Sequence, residues 1–300
     1  MKRQELMLQS ASADWQQSKL SLLPNLNGMV EHQLGAGRVL DRGTYTWKDT
    51  EVSQGDMGLQ SDMTLFDGLQ GLNNMMMNKA SYQMNMKDLE AMEDNLTLNV
   101  MTAYLTLLRN QELVEVARLN VEVTAHQVER MERLVEVGNE PKGRLLEVTS
   151  QLSTAELGLT QAINNMEIAR LNLMHLMNIT DRTTLEIEKP VFPEPSLADI
   201  PALDSVFSYA LAHLPQIQSA QYGIQAQERN LAMQRGGRSP RLYARGLYYT
   251  NYSDGLSNPL NPDQDYPISE QIANNQYKQV SVGIQIPFFN RWMVQTGINK

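Results

Sequence analysis

From Asp67 to Val137 the sequence holds no proline and, beyond Gly71, no glycine until Gly138. Roughly seventy residues at 1.5 Å each would make a helix on the order of 100 Å long. No single globular core needs so long a rod, and the apolar period says what does. Positions 100, 107, 114, 121, 128 and 135 read Val, Leu, Val, Val, Val, Val, a strict step of seven. The offset line 89, 96, 103, 110, 117, 124, 131 reads Leu, Leu, Ala, Asn, Ala, Thr, Met. A branched seam beside a mostly small one predicts knobs-into-holes packing, so the long segment is a coiled-coil helix.

Its partner follows directly. Gly138-Asn139-Glu140-Pro141 interrupts the rod, and a second heptad run extends from Lys142 to about Met177. There, positions 145, 152, 159, 166 and 173 are Leu, Leu, Leu, Met, Leu; positions 148, 155, 162, 169 and 176 are Val, Ala, Ala, Ala, Leu. Two heptad helices joined by a short turn make an antiparallel hairpin, here assigned to residues 67–178.

Around this hairpin the pattern shifts to a period of two. Residues 1–23 read as the end of a helix, stopped at Pro24. Leu26, Gly28, Val30, His32 and Leu34 alternate as a weak strand, and 35–56, rich in Gly, Arg, Asp and Thr, read as a loop. Met57, Leu59, Met63 and Leu65 then alternate with Gly58, Gln60, Asp62 and Thr64, a half-buried strand. Residues 24–66 are thus a first β-hairpin. Four prolines between 190 and 201 mark 179–203 as an irregular connector. Residues 204–237 read as one helix ending at Gly236-Gly237. A second β-hairpin occupies 238–289, with strands from Leu242 and through Val280, Val282, Ile284, Ile286 and Phe288 around a polar loop over 253–275. Residues 290–300 begin a further helix, so the sequence reads as a piece of something longer.

The order helix, strand, long loop, strand, helix therefore occurs twice. Leu23-Pro24-Asn25-Leu26 precedes Ser239-Pro240-Arg241-Leu242 by 216 positions, and Leu65-Phe66-Asp67 precedes Phe288-Phe289-Asn290 by 223. Such a spacing suggests duplication. Four strands, each with an apolar and a polar face, cannot close a barrel, since the smallest membrane barrels use about eight. Twelve strands from three chains can, and closure removes every sheet edge. The expected fold is mainly α with a minor β part: a long antiparallel coiled-coil hairpin plus two β-hairpins giving four strands to a trimeric 12-strand barrel.

At these residues the sequence resembles the TolC-like outer-membrane efflux proteins. The resemblance rests on the duplicated element order, the strand endings Leu65-Phe66-Asp67-Gly68 and Pro287-Phe288-Phe289-Asn290, and the rod turn. That turn runs Arg133-Leu134-Val135-Glu136-Val137-Gly138, then Leu145-Leu146-Glu147-Val148. The resemblance implies a homotrimeric outer-membrane barrel continued by a periplasmic α-barrel, in a Gram-negative bacterium. It implies an exit duct for small molecules such as drugs, in a tripartite efflux or type I secretion system. The partners it implies are outer-membrane lipid, a periplasmic adaptor and an inner-membrane pump. Adaptor docking falls on Val137, Gly138, Asn139, Leu145 and Leu146. Asn139 departs from the apolar residue that many members carry there. The family's acidic gate lies in a second rod turn that these residues do not contain. A soluble coiled-coil scaffold is the alternative reading.

Composition narrows the function from the other side. Lys and Arg number 25 against 34 Asp and Glu, a net charge of −9, which argues against nucleic acid or anionic lipid as the main partner. With no cysteine there are no disulfides, thiolate metal sites or cysteine nucleophiles. No apolar run reaches the ~18 residues of a transmembrane helix, and Met1-Lys2-Arg3 is followed by Gln4-Glu5 rather than a signal-peptide core. Met75-Met76-Met77 with Met84, Met86 and Met92 offer soft thioethers, but such residues more commonly fill irregular gaps. His126 beside Glu122, Glu129 and Arg130 reads as a solvated charged face. Asp263-Gln264-Asp265 lacks the remaining ligands of a calcium loop. Gly35-Ala36-Gly37 opens no helix and is no phosphate cradle. Tyr248, Tyr249, Tyr252 and Tyr266 suit either an interfacial girdle or ordinary strand packing. No catalytic constellation emerges, so neither an enzyme nor a cofactor is expected.

Overall fold

The structure is a computed structural model that describes residues 1–41, 45–180, 185, 187–190, 201–256, 258 and 266–300. Elements follow in the order α1 (Lys2–Leu20), β1 (Asn27–Asp41), β2 (Thr46–Phe66), α2 (Gln70–Glu136) and α3 (Lys142–Leu176). Then come α4 (Leu203–His213), α5 (Pro215–Gly236), β3 (Arg241–Ser253), α6 (Ile268–Asn274), β4 (Tyr277–Gln285) and α7 (Met293–Asn299). The described residues are mainly helical, with one four-stranded sheet among them. The chain divides into two compact units, one of Met1 with Glu90–Ala212, the other of Lys2–Leu89 with His213–Lys300.

In the first unit the heptads decide the packing. From residue 90 to 136 of α2, both step-of-seven lines are buried or half-buried while most other positions are exposed. Leu107, 1% exposed, packs with Ala169 and Leu173 of α3, and Val100, Ala103 and Met166 close around them. Three residues further on, Asn110 donates to the Asn165 carbonyl at 3.4 Å. Rising numbers on α2 meet falling numbers on α3, so the two rods are antiparallel. Each buried Leu contributes about 1.5–3 kcal/mol. Past α3, Leu185 and Ile187 cover the same cluster, Tyr104 donates its hydroxyl to the Glu188 carbonyl, and Lys189 pairs with Glu112 at 2.6 Å. Pro193 and Pro195 of the expected connector lie outside the described residues.

Where the sequence suggests one helix over 204–237, there are two. Pro215 has no N–H to donate and its ring clashes with the carbonyl four residues earlier. Leu214 accordingly takes an extended conformation (φ −66°, ψ 123°), and α5 restarts with Pro215 in its first turn.

The second unit holds the sheet, a meander in the order β1-β2-β3-β4 with every pair antiparallel. The loop expected over 35–56 is instead mostly strand, since β1 and β2 pair from Asn27↔Gln60 out to Asp41↔Thr46. Backbone hydrogen bonds hold this ladder, so its Gly, Asp and Thr content hides it from an apolar-pattern reading. A smaller correction falls in the loop expected over 253–275, where α6 forms. It closes the end of β3 that β4 leaves unpaired. Gln271, 1% exposed, accepts from the Ser253 N–H at 2.8 Å. Asn275 donates to the Asn251 carbonyl at 2.9 Å, and Thr250 donates to the Ile272 carbonyl at 2.8 Å. Side chains thus satisfy edge groups that would otherwise recruit another strand.

Helices anchor the sheet's other end. Trp15 of α1 stacks on Tyr82 of α2, centroids 5.4 Å apart, with the Lys19 ammonium 3.4 Å from the indole centre. The turn from β2 into α2 crosses the turn from α5 into β3 at two glycines. A Cβ on Gly236 would lie 2.4 Å from the Gly68 carbonyl oxygen. No side chain fits at that crossing.

Candidate functional site

Successive strand residues face opposite sides, so the register sorts the sheet into two surfaces. One carries Val30 and Leu34 of β1, Met57, Leu59 and Met63 of β2, Leu242, Ala244 and Tyr248 of β3, and Val280, Val282 and Ile284 of β4. Much of it lies open, with Val280 86% and Leu34 79% exposed. The other carries Glu31 and Gln33, Asp56, Gln60, Asp62 and Thr64, Arg241, Tyr243, Arg245 and Tyr249, and Gln279, Ser281 and Gln285. A hydrogen-bond net covers this second face. Arg245 meets Asp62 at 2.7 Å, Arg241 donates to the Thr64 hydroxyl at 2.8 Å, and Tyr249 donates to the Asp56 carboxylate. A soluble sheet buries its apolar face; here an apolar face stands open and the polar one is organised.

The four tyrosines singled out by the sequence do not act together. Tyr248 and Tyr252 stand on the apolar face and Tyr249 on the polar one. Tyr266 precedes α6, its carbonyl accepting from Gln271. Tyr252 reaches across Gly55, where a Cβ would come within 2.3 Å of its ring, to share a 2.9 Å hydrogen bond with His32. The Tyr248 ring has the Lys278 ammonium 5.7 Å from its centre. At the other end of the apolar face, past β4, Phe288, Phe289 and Trp292 are exposed.

The second candidate surface is the rod turn. Gly138 takes φ +78°. Its N–H bonds the Val135 carbonyl at 3.1 Å and the Asn139 N–H bonds the Leu134 carbonyl at 2.9 Å. This pair of bonds is the Schellman closure of a helix, which satisfies two orphan carbonyls. Pro141, extended at φ −77°, stands at the N-terminal boundary of α3 without a side-chain cap. Of the five tip residues, Val137 (69%) and Leu146 (71%) are strongly exposed; Gly138 and Asn139 are exposed too, while half-buried Leu145 belongs to the seam. Just inside α3, Arg144 meets Glu147 at 2.9 Å. This hydrogen bond, with the Glu147 and Glu140 charges, holds the guanidinium pKa above its usual range.

The remaining sequence candidates fall apart. His126 lies 3.5 Å from Glu129, both exposed, and Arg133 shares that carboxylate at 3.4 Å. Met84 lies against Gly223 of α5. Gly35-Ala36-Gly37 lies within β1, and Asp263, Gln264 and Asp265 lie outside the described residues. Among the described residues no cluster of His, Asp and Glu suits a metal ion, and no helix is long and apolar enough to cross a membrane. Sequence reasoning missed the Asp62–Arg245 pair, because the pairing of β2 with β3 joins positions 183 apart and leaves no local signal.

Comparison with known proteins follows the same geometry. A family model described as outer membrane efflux protein matches residues 1–178. Among solved structures, the Campylobacter jejuni CmeC outer membrane channel superposes with TM-score 0.82 at 17% identity, covering 99% of this chain and 60% of that one. The Vibrio cholerae outer membrane protein VceC gives 0.80 at 14%, covering 99% and 67%. The open state of the Neisseria gonorrhoeae MtrE outer membrane channel gives 0.74 at 16%, covering 99% and 62%. This chain therefore spans about three-fifths to two-thirds of those channels' length. No curated protein matches it by sequence.

Proposed function

The chain belongs to the outer membrane efflux protein family, and from that premise we propose that it serves as an exit duct in the outer membrane of a Gram-negative bacterium. The observation that carries this reading is the open apolar face of the sheet, backed by an organised polar one. A sheet of that kind is stable with lipid on one side and water on the other. β1 and β4 are its two unpaired edges, and three copies would supply twelve strands and leave no edge. In this reading residues 24–66 and 238–289 form the barrel hairpins, and residues 67–178 form the periplasmic coiled-coil hairpin. The duct is a passive conduit in a tripartite efflux or type I secretion system, carrying small molecules such as drugs. The turn at Val137, Gly138, Asn139, Leu145 and Leu146 docks a periplasmic adaptor that leads to an inner-membrane pump. Nothing in the reading calls for catalysis or a cofactor.

Extraction of the full-length protein from outer-membrane fractions tests it. Release only by detergent, as a trimer, is the expected result. Recovery without detergent as a soluble monomer would instead support a coiled-coil scaffold.

A further inference from the structure

On the polar face, between the β1–β2 pairing at Glu31↔Asp56 and the strand ends at Phe66 and Arg241, five residues carry charge. Arg241 and Arg245 stand at the end nearest the helices, with Asp62 opposite Arg245 in register. Glu31 and Asp56 stand opposite each other, further toward the Asp41↔Thr46 end of the ladder. The arginines are held in place. Arg245 Nε lies 2.7 Å from Asp62 Oδ1, and Arg241 Nη2 lies 2.8 Å from Thr64 Oγ1. Asp62 balances one arginine, so this rung keeps one positive charge per chain. The other rung holds two carboxylates, and both accept neutral donors: Gln33 Nε2 at 2.6 Å for Glu31, the Tyr249 hydroxyl for Asp56. Neither bond cancels charge.

The six residue steps from Asp56 to Asp62 separate the rungs by about 20 Å. That exceeds two Debye lengths of ~8 Å at physiological salt, so each rung sets its own local potential. Rings of fixed charge lining a pore select by sign.

We propose that this wall sorts solutes by charge at two levels, with anions gathered by Arg241 and Arg245 and cations gathered by Glu31 and Asp56. The inference rests on the reading that the polar face lines a conduit. In three copies the levels carry three positive and six negative charges.

Because this chain has no cysteine, introduced thiols can report each level. We would place Gln285→Cys, the register partner of Arg241, Gln54→Cys beside Asp56, and Val282→Cys on the apolar face. Each full-length variant, in outer-membrane vesicles, would be reacted with a cationic and an anionic methanethiosulfonate reagent. The anionic reagent should win at Gln285→Cys and the cationic one at Gln54→Cys, with the rate ratios differing on the order of tenfold between sites. Arg241→Gln should erase the preference at the first site, and Glu31→Gln with Asp56→Asn at the second. Equal ratios at both sites would overturn the charge inference and leave the conduit intact. Labelling of Val282→Cys with both polar-face sites silent would overturn the conduit itself.

Discussion

Gly138 and Arg291 both hold the left-handed backbone conformation, at φ +78° and φ +54°, but only one has a residue suited to it. At Gly138 a side chain would meet nothing within 4 Å, so Gly138→Val is resisted by backbone strain alone, about 1–2 kcal/mol. This loss is local to the rod turn. We expect normal outer-membrane trimer with lost drug resistance, measured side by side in cells carrying the full-length variant; unchanged resistance would remove Gly138 from the proposed docking surface. Arg291 makes the opposite case. The spacing of 223 that relates Asp67 to Asn290 also lays Gly68 and Leu69 (φ +71°, +65°) over Arg291 and Trp292 (φ +54°, +61°). Equivalent strand-to-helix turns thus use two consecutive left-handed residues, one with glycine and one without. Arg291→Gly should relieve strain and stabilise the protein by up to ~1 kcal/mol, visible as a raised Tm. A lowered Tm would mean that the guanidinium contributes more than its backbone costs.

For the long helices, the seam separates positions of like chemistry by their partners. Leu107→Ala should cost about 2–5 kcal/mol, since the cavity opens between α2 and α3 where packing cannot collapse freely. Val116→Ala, at a position 62% exposed, should change little. Comparing thermal unfolding of the two by circular dichroism tests the heptad assignment directly. Asn110 adds a subtler element. It is 8% exposed in the small seam, and a buried polar residue there fixes register at the expense of stability. This helical half was legible in the sequence because period seven survives in one line of residues such as Val100, Leu107 and Val114. The break at Pro215 has its signal in the proline alone, since Ile217 and Ile224 beyond it keep a spacing that suits a continuous helix. The strands over 35–56 were not legible, because their stability lies in backbone pairing rather than side-chain burial. Nor was α6, whose anchor Gln271 is an amide buried by hydrogen bonds. Of the candidate surfaces, the turn at Gly138 was visible in its glycine and proline. The charged wall was not, since Asp62 and Arg245 meet only once β2 pairs with β3.

For the whole molecule the proposed duct requires the apolar side of the sheet to meet lipid, and β4 offers neighbouring positions that test this oppositely. Val282 stands on the apolar face and Gln279 on the polar one, three residues apart in the same edge strand. Arginine in contact with lipid costs about 2–4 kcal/mol near the bilayer midplane. Three copies in a closed barrel raise this to roughly 6–12 kcal/mol, comparable to the whole stability of a domain. Arginine facing water costs nothing of that kind. Val282→Arg should therefore abolish outer-membrane trimer, whereas Gln279→Arg should leave it near its normal level, both read by gel mobility of unheated outer-membrane fractions. Equal tolerance of the two would deny the apolar face its lipid. Loss at Gln279→Arg alone would turn the sheet inside out, with the Asp62–Arg245 face against the membrane. That outcome conflicts with desolvation: two arginines and three carboxylates per chain would then lie in hydrocarbon with a single ion pair among them. The same asymmetry explains why the face carrying Val280 and Leu34 can stand open in one chain. On the proposed reading its burial is supplied by the bilayer, not by the fold of one chain.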